Sequence, residues 1–181
     1  MSGRFVYLRK ETDMTTTFLA SFMSGAQHPI YGLDHILAML VVGVWALQIG
    51  GRAIWAVPLG FVGTMAIGFI AARVGLSLPF VEPIIVASSI LLGLCVLFAL
   101  RPSVPFAVVL SSFFGLFHGH AHGVELGEAA PIAFGIGFAL VTAALHATGI
   151  LLARFMRQAH KTAPRALGAL SALAGVTLLF G

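Results

Sequence analysis

The chain is short of charge. Ten Lys and Arg with six Asp and Glu make up 9% of 181 residues, against 59% hydrophobic residues, and the mean hydropathy is +1.03. A soluble globular chain carries about 25% charged residues, so the composition excludes a water-solvated globule and fits a bilayer. Cysteine is scarcer still: Cys95 stands alone inside an apolar run. That excludes an internal disulfide and any paired-thiolate metal or redox site, and the residue reads as a small buried hydrophobe. No GxxxxGK[ST] phosphate loop occurs, which excludes a P-loop nucleotide engine. The isoelectric point near 10.0 would fit nucleic acid. The basic residues, however, sit at chain ends and short loops, with no basic cluster interleaved with aromatics, so no nucleic-acid partner is expected.

What is present is apolar and of membrane-crossing length. Segments at 33–50, 53–73, 80–100, 104–123, 130–153 and 164–180 each approach the roughly 20 residues that span a bilayer. The interruptions are brief: GGR at 50–52, GLSLP at 75–79, RPS at 101–103, VELGEAAP at 124–131 and RQAHKTAP at 157–164. Pro58 and Pro83 fall within or just inside segments, which a bundle tolerates when neighbouring helices satisfy the freed carbonyls. The 21 glycines, with small residues spaced as in Gly60, Thr64 and Gly68, suit close helix packing. The expected fold is all-α: a polytopic membrane protein with a six-transmembrane-helix bundle over 32–181, preceded by an N-terminal extension and lead-in over 1–31.

With six spans the loops alternate between two sides. Arg73 falls on the side of the N-terminus, together with Arg4, Arg9 and Lys10; Arg52, Arg101, Arg154, Arg157, Lys161 and Arg165 fall on the other. Lys and Arg accumulate on cytoplasmic loops, so the second side is assigned inside and both termini outside. The opening MSGRFVYLRKETD has no continuous apolar stretch of a secretion signal. Met14 opens MTTTFLASFMSGAQ, a weakly amphipathic lead-in, and the thirteen residues before it read as an upstream extension.

Ionisable residues at membrane spans are expensive and mark function. Three segments bring them to one side. HPIYGLDH places His28, Asp34 and His35 where the first span begins; Glu82 begins the third; FHGHAHGVE closes the fourth with His118, His122 and Glu125. At about 100° per residue the last three form one stripe about 60° wide, whereas His120 points to the opposite flank. Gly119 and Gly123 leave room for another backbone or an ion to approach. In a continuous helix His28 and His35 would share a face about 10 Å apart, too far for nitrogens that sit about 2 Å from a metal. Two arrangements stay open: a bend in HPIYG, at Pro29 and Gly32, that folds His28 back over Asp34 and His35, or two successive ion positions. Imidazole with carboxylate and no thiolate suits a first-row divalent cation, nickel or zinc rather than calcium. Blander readings fit the rest. His146 is read as an interhelical hydrogen bond, His160 and Glu128 as solvated loop residues, and Glu82 equally as an acid favoured by a helix N-terminus.

The stretches HPIYGLDHILAMLVVGVWA and FHGHAHGVE resemble the signature segments of the HupE/UreJ family, small membrane proteins associated with hydrogenase and urease operons. The resemblance runs from about His28 to the end and includes VEP at 81–83. It implies a six-helix permease of the bacterial inner membrane that imports nickel for hydrogenase or urease maturation. By matching positions it places His28, Asp34 and His35 in the first metal motif and His118, His122 and Glu125 in the second, with position 120 variable. Many members carry a cleavable signal peptide and then a histidine-bearing stretch, and this sequence shows neither. The expectation is therefore a transporter rather than an enzyme. It has no prosthetic group, Ni2+ as substrate with Co2+ or Zn2+ as alternatives, the lipid bilayer as its surroundings, and a homo-oligomer left open. A divalent cation entering an inside-negative cell gains about 4.6 kcal/mol per 100 mV, which drives uptake without further coupling. The alternative from another class is an intramembrane zinc-dependent hydrolase with three fixed ligands and a water, against which stands the lack of an HExxH helix. A di-haem bundle would need histidine pairs at depth, where His146 is the one candidate.

Overall fold

The computed structural model describes residues 16–180, apart from the side chains of Leu33 and Asp34. The segment 1–15, with Met14, Arg4, Arg9 and Lys10, lies outside the described residues. Among the described residues the chain is all-helical, with seven segments and no strand. They are α1 (Thr16–Ile30), α2 (Leu33–Ile49), α3 (Ala53–Arg73), α4 (Val81–Leu97), α5 (Val104–Val124), α6 (Pro131–Ala159) and α7 (Arg165–Phe180).

The punctuation explains the boundaries. Pro105 and Pro131 sit in first turns, where the missing N–H removes no helical bond. Helix α3 closes with Gly75 at φ 84° and a bond from Leu76 N–H to the Ala71 carbonyl, a left-handed cap that leaves the last carbonyls satisfied. Helix α4 closes the same way on Ala99, at φ 51°, with Leu100 N–H bonded to Cys95. Pro58 lies inside α3 and does not end it.

Three close pairings organise the bundle. Helix α3 lies against α5: a Cβ on Gly68 would run into the Leu116 carbonyl, and one on Gly119 into the Met65 carbonyl. Only glycine permits that approach. The Thr64 hydroxyl adds a 2.7 Å bond to the Ser112 carbonyl. Helix α2 meets α6 through Gly43 and Gly149, and α4 meets α7 through Gly93 and Gly168. Helix α1 rests on α6 through Gly25 and Gly137, and Ser21 accepts from Ala130 N–H at 2.9 Å. Trp45, fully buried, donates its indole N–H to the Leu100 carbonyl at 2.9 Å.

Length separates the helices. Helices α3, α5 and α6, of 21, 21 and 29 residues, are long and apolar enough to cross a membrane. Helices α4 and α7, of 17 and 16 residues, reach about 25 Å at 1.5 Å per residue, short of the roughly 30 Å hydrocarbon core. Helices α1 and α2 qualify only jointly, as a pair bent by 75°. By length and composition the described residues thus hold three candidate spans, or four with the bent pair, where the sequence alone counts six.

The two ends of the bundle differ in charge. At one end, Arg101, Arg154, Arg157, Lys161 and Arg165 line a cavity of about 650 Å³ with Gln48 and Gln158, and no carboxylate lines it. These are five of the six cations that the alternating-loop argument assigns to a single side. At the other end stand His28, His35, His118, His122, Glu82 and Glu125.

Candidate metal centre

The break between α1 and α2 decides the centre's geometry. The HPI triplet forms a single 3-10 turn, and Gly32 then takes an extended backbone at φ −109° and ψ 123°. The bend, rather than a continuous helix, therefore carries His28 back toward α5. His28 Nε2 lies 2.8 Å from His122 Nδ1, and Glu125 Oε2 lies 3.3 Å from the first and 3.2 Å from the second. Ligands at about 2.1 Å from one ion stand about 3.0–3.4 Å apart for octahedral or tetrahedral angles. This triangle has nearly that size.

A second group adjoins the first. His35, His118 and His122 each bring a ring nitrogen within 4.8 Å of the other two, as do the ligand atoms of His28, His122 and Glu125. The His35 ring stands 5.2 Å from that of His122 and 5.9 Å from that of His118. His122 belongs to both groups. Its Nδ1 faces His28 and Glu125, and its buried Nε2 has no hydrogen-bond partner among the described residues; a neutral imidazole has one lone pair, so it can serve either group, one at a time.

The stripe expected on α5 is there, with His118 and His122 buried and Glu125 one residue past the helix end. His120 turns away, and its Nε2–H donates to the Leu76 carbonyl at 2.7 Å. Glu82, exposed in the first turn of α4, joins neither group of three but lines the same cavity of about 320 Å³ as His28, His35, His122 and Glu125. Asp34 occupies the second position of α2, and its side chain lies outside the described residues. Glu128 and His160 are exposed, His160 holding Thr162 Oγ1 at 2.8 Å.

Two features escape a reading of the sequence. The Ser88 hydroxyl donates to the Ile85 carbonyl at 2.6 Å and so must accept from His118 Nε2–H at 3.0 Å. That bond fixes the tautomer and leaves the lone pair of His118 on Nδ1, the outer-shell support that metal-binding imidazoles ordinarily have. A serine in an apolar helix carries no mark of this in sequence. The other is His146. It is not an interhelical hydrogen bond: neither ring nitrogen has a partner among the described residues, and the ring packs edge-on against Phe61 at 5.1 Å.

The Glu125 carboxyl is held below the usual carboxylate range, chiefly by its hydrogen bond with His122 and further by the charges of His122 and His28, against the opposing effect of burial. The centre therefore offers a carboxylate charge beside imidazoles from α1, α2 and α5 that are arranged in two adjoining groups. Chemically that is a site for a borderline divalent cation.

The family described as HupE / UreJ protein matches residues 11–178. Protein HupE of Rhizobium leguminosarum bv. viciae is 42% identical over 161 residues, which is 88% of this chain and 84% of that protein. No solved structure matches. With a family match along nearly the whole chain and a relative at this identity, the protein belongs to the HupE/UreJ family.

Proposed function

We propose that the protein is a nickel permease of the bacterial inner membrane that supplies the ion for hydrogenase or urease maturation. In this reading α2 to α7 are its six spans, the short α4 and α7 being accommodated by local thinning or tilt of their neighbours. The outer face holds the metal centre, both termini lie outside, and the basic cavity faces the cytoplasm as the positive-inside rule requires. His28, His35, His118, His122 and Glu125 are the ligands, with Asp34 and Glu82 supplying further charge from the neighbouring helix starts. Cobalt and zinc are the nearest competing substrates, because the same donors suit them.

One observation carries the proposal: His122 is common to two groups of ligands that touch. Adjoining positions that share a ligand let an ion move on before it is fully released, the requirement for conduction that is both selective and fast. A hydrolase would need one fixed position and a slot for substrate beside it. The test is direct. Purified protein is titrated with nickel, cobalt, zinc and copper, and the same preparation is reconstituted for uptake into liposomes under an inside-negative potential. Saturable nickel binding together with potential-driven uptake is the expected result, and absence of both would overturn the reading.

A further inference from the structure

The centre accounts for the outer end of the bundle and leaves the interior without a place for an ion to rest. One candidate stands at mid-depth. His146 is the sixteenth of 29 residues in α6, 1% exposed, and Thr142 one turn earlier is fully buried. Residues four apart share a helix face. Neither nitrogen of His146 and not the Thr142 hydroxyl has a hydrogen-bond partner among the described residues.

The other polar side chains of the bundle show how unusual this is. Thr64, Thr148 and Thr177 bond carbonyls of their own helices, and the buried Ser88, Ser111 and Ser171 bond carbonyls as well. Thr142 declines the same bond to its own helix, although that is the usual resort of a buried helical threonine. Buried polar groups without partners are rare, and each calls for an explanation. Space filling is not one, since an apolar side chain of similar size would fill the site with no orphaned atom.

Position supplies the explanation. The Phe61 ring lies 5.4 Å from that of His118 and 5.1 Å from that of His146, so a single aromatic ring separates His146 from the outer centre. Helices α2 and α6 make their closest approach at the same level, where Gly43 faces the His146 carbonyl. We propose that His146 and Thr142 form a second, deeper coordination point for the transported divalent cation, occupied after it leaves the outer centre. The inference rests on the permease reading. An imidazole and a hydroxyl, with water completing the shell, would hold a cation loosely enough to pass it on.

The experiment uses the full chain in proteoliposomes. His146→Leu should keep thermal stability and equilibrium nickel affinity within about twofold of the parent, because it breaks no hydrogen bond and leaves the outer ligands in place. Initial nickel uptake should fall by about tenfold or more, at least the scale on which loss of a supporting contact alone acts at a metal site. Thr142→Val should give a smaller fall with the same unchanged affinity. In a Cys95→Ala background, His146→Cys should make uptake at least about tenfold more sensitive to external cadmium than the Cys95→Ala parent, because a soft thiolate traps that ion. Undiminished uptake in His146→Leu would overturn the proposal, as would cadmium sensitivity equal to the parent's in His146→Cys. Should His146→Leu fail to fold, the Thr142→Val and cadmium arms decide alone. A parent that neither binds nor carries nickel would sink the permease reading itself, an outcome separable from all of these.

Discussion

His122 is the side chain on which both ligand groups depend. His122→Ala is therefore expected to lower nickel affinity by about a hundredfold or more, beyond the 10–100-fold that supporting contacts alone command. His120→Ala, two residues away, removes a bond to the Leu76 carbonyl and should cost about 1 kcal/mol of stability with little change in affinity. Calorimetric titration beside thermal unfolding of each variant separates the two effects, and equal losses of affinity would show that α5 is not regular through HGHAHG. Acid should act through the same rings. Imidazole must be neutral to bind a metal, and its ordinary value lies near 6.5. Glu125, held below the usual carboxylate range, stays ionised through that window. Its own contribution to stability is complete above its unfolded value and fades only as pH falls through the lowered folded one. Nickel binding should thus weaken as pH drops through about 6, and Glu125→Gln should bind more weakly at every pH. A midpoint near 4 would assign the ion to carboxylates alone.

At the scale of elements the α3–α5 contact sets the position of His118 and His122. Gly119→Ala would press a methyl into the Met65 carbonyl and should destabilise by about 1–3 kcal/mol, as overpacking does, lowering nickel affinity as α5 shifts. Gly63→Ala, on α3 with nothing within 4 Å, should be neutral or stabilising by up to about 1 kcal/mol. Melting temperatures of the two variants in one detergent make the comparison. The element pattern was largely open to sequence reasoning. Five of the six apolar runs end within about three residues of their helices because GGR, RPS and the prolines punctuate them sharply, whereas α6 runs on to Ala159, six residues past the expected end at 153. The stripe on α5 followed from helical period alone. What stayed hidden depends on partners distant in sequence. MTTTFLASFMSGAQ has too weak a pattern to declare a packed helix, and its close approach to α6 is visible only where Gly25 meets Phe134. Whether His28 folded back turned on the backbone of Tyr31 and Gly32, which spacing cannot supply. His146 looked like a hydrogen-bonded histidine because an orphaned ring is recognised only when every neighbour is known.

At the scale of the molecule the described residues are electrically lopsided, with imidazoles and carboxylates around one cavity and five cationic side chains around the one opposite. A bare divalent cation is drawn toward the first and repelled by the second, so in the permease reading the far end acts as a rectifying barrier whose height is set by the surrounding electrolyte. Screening over such distances is strong: the Debye length shrinks from about 30 Å at 0.01 M salt to about 8 Å at 0.15 M. Salt on the two faces should consequently have opposite effects. Raising it inside liposomes lowers the barrier and should speed nickel uptake by about twofold or more, while raising it outside weakens attraction to the ligand cluster and should slow uptake. Influx that ignored the internal electrolyte would mean that the ion leaves by another route. If the permease reading holds, the arginine-lined vestibule makes discharge of the ion in a cell answer to the small anions dissolved beside it.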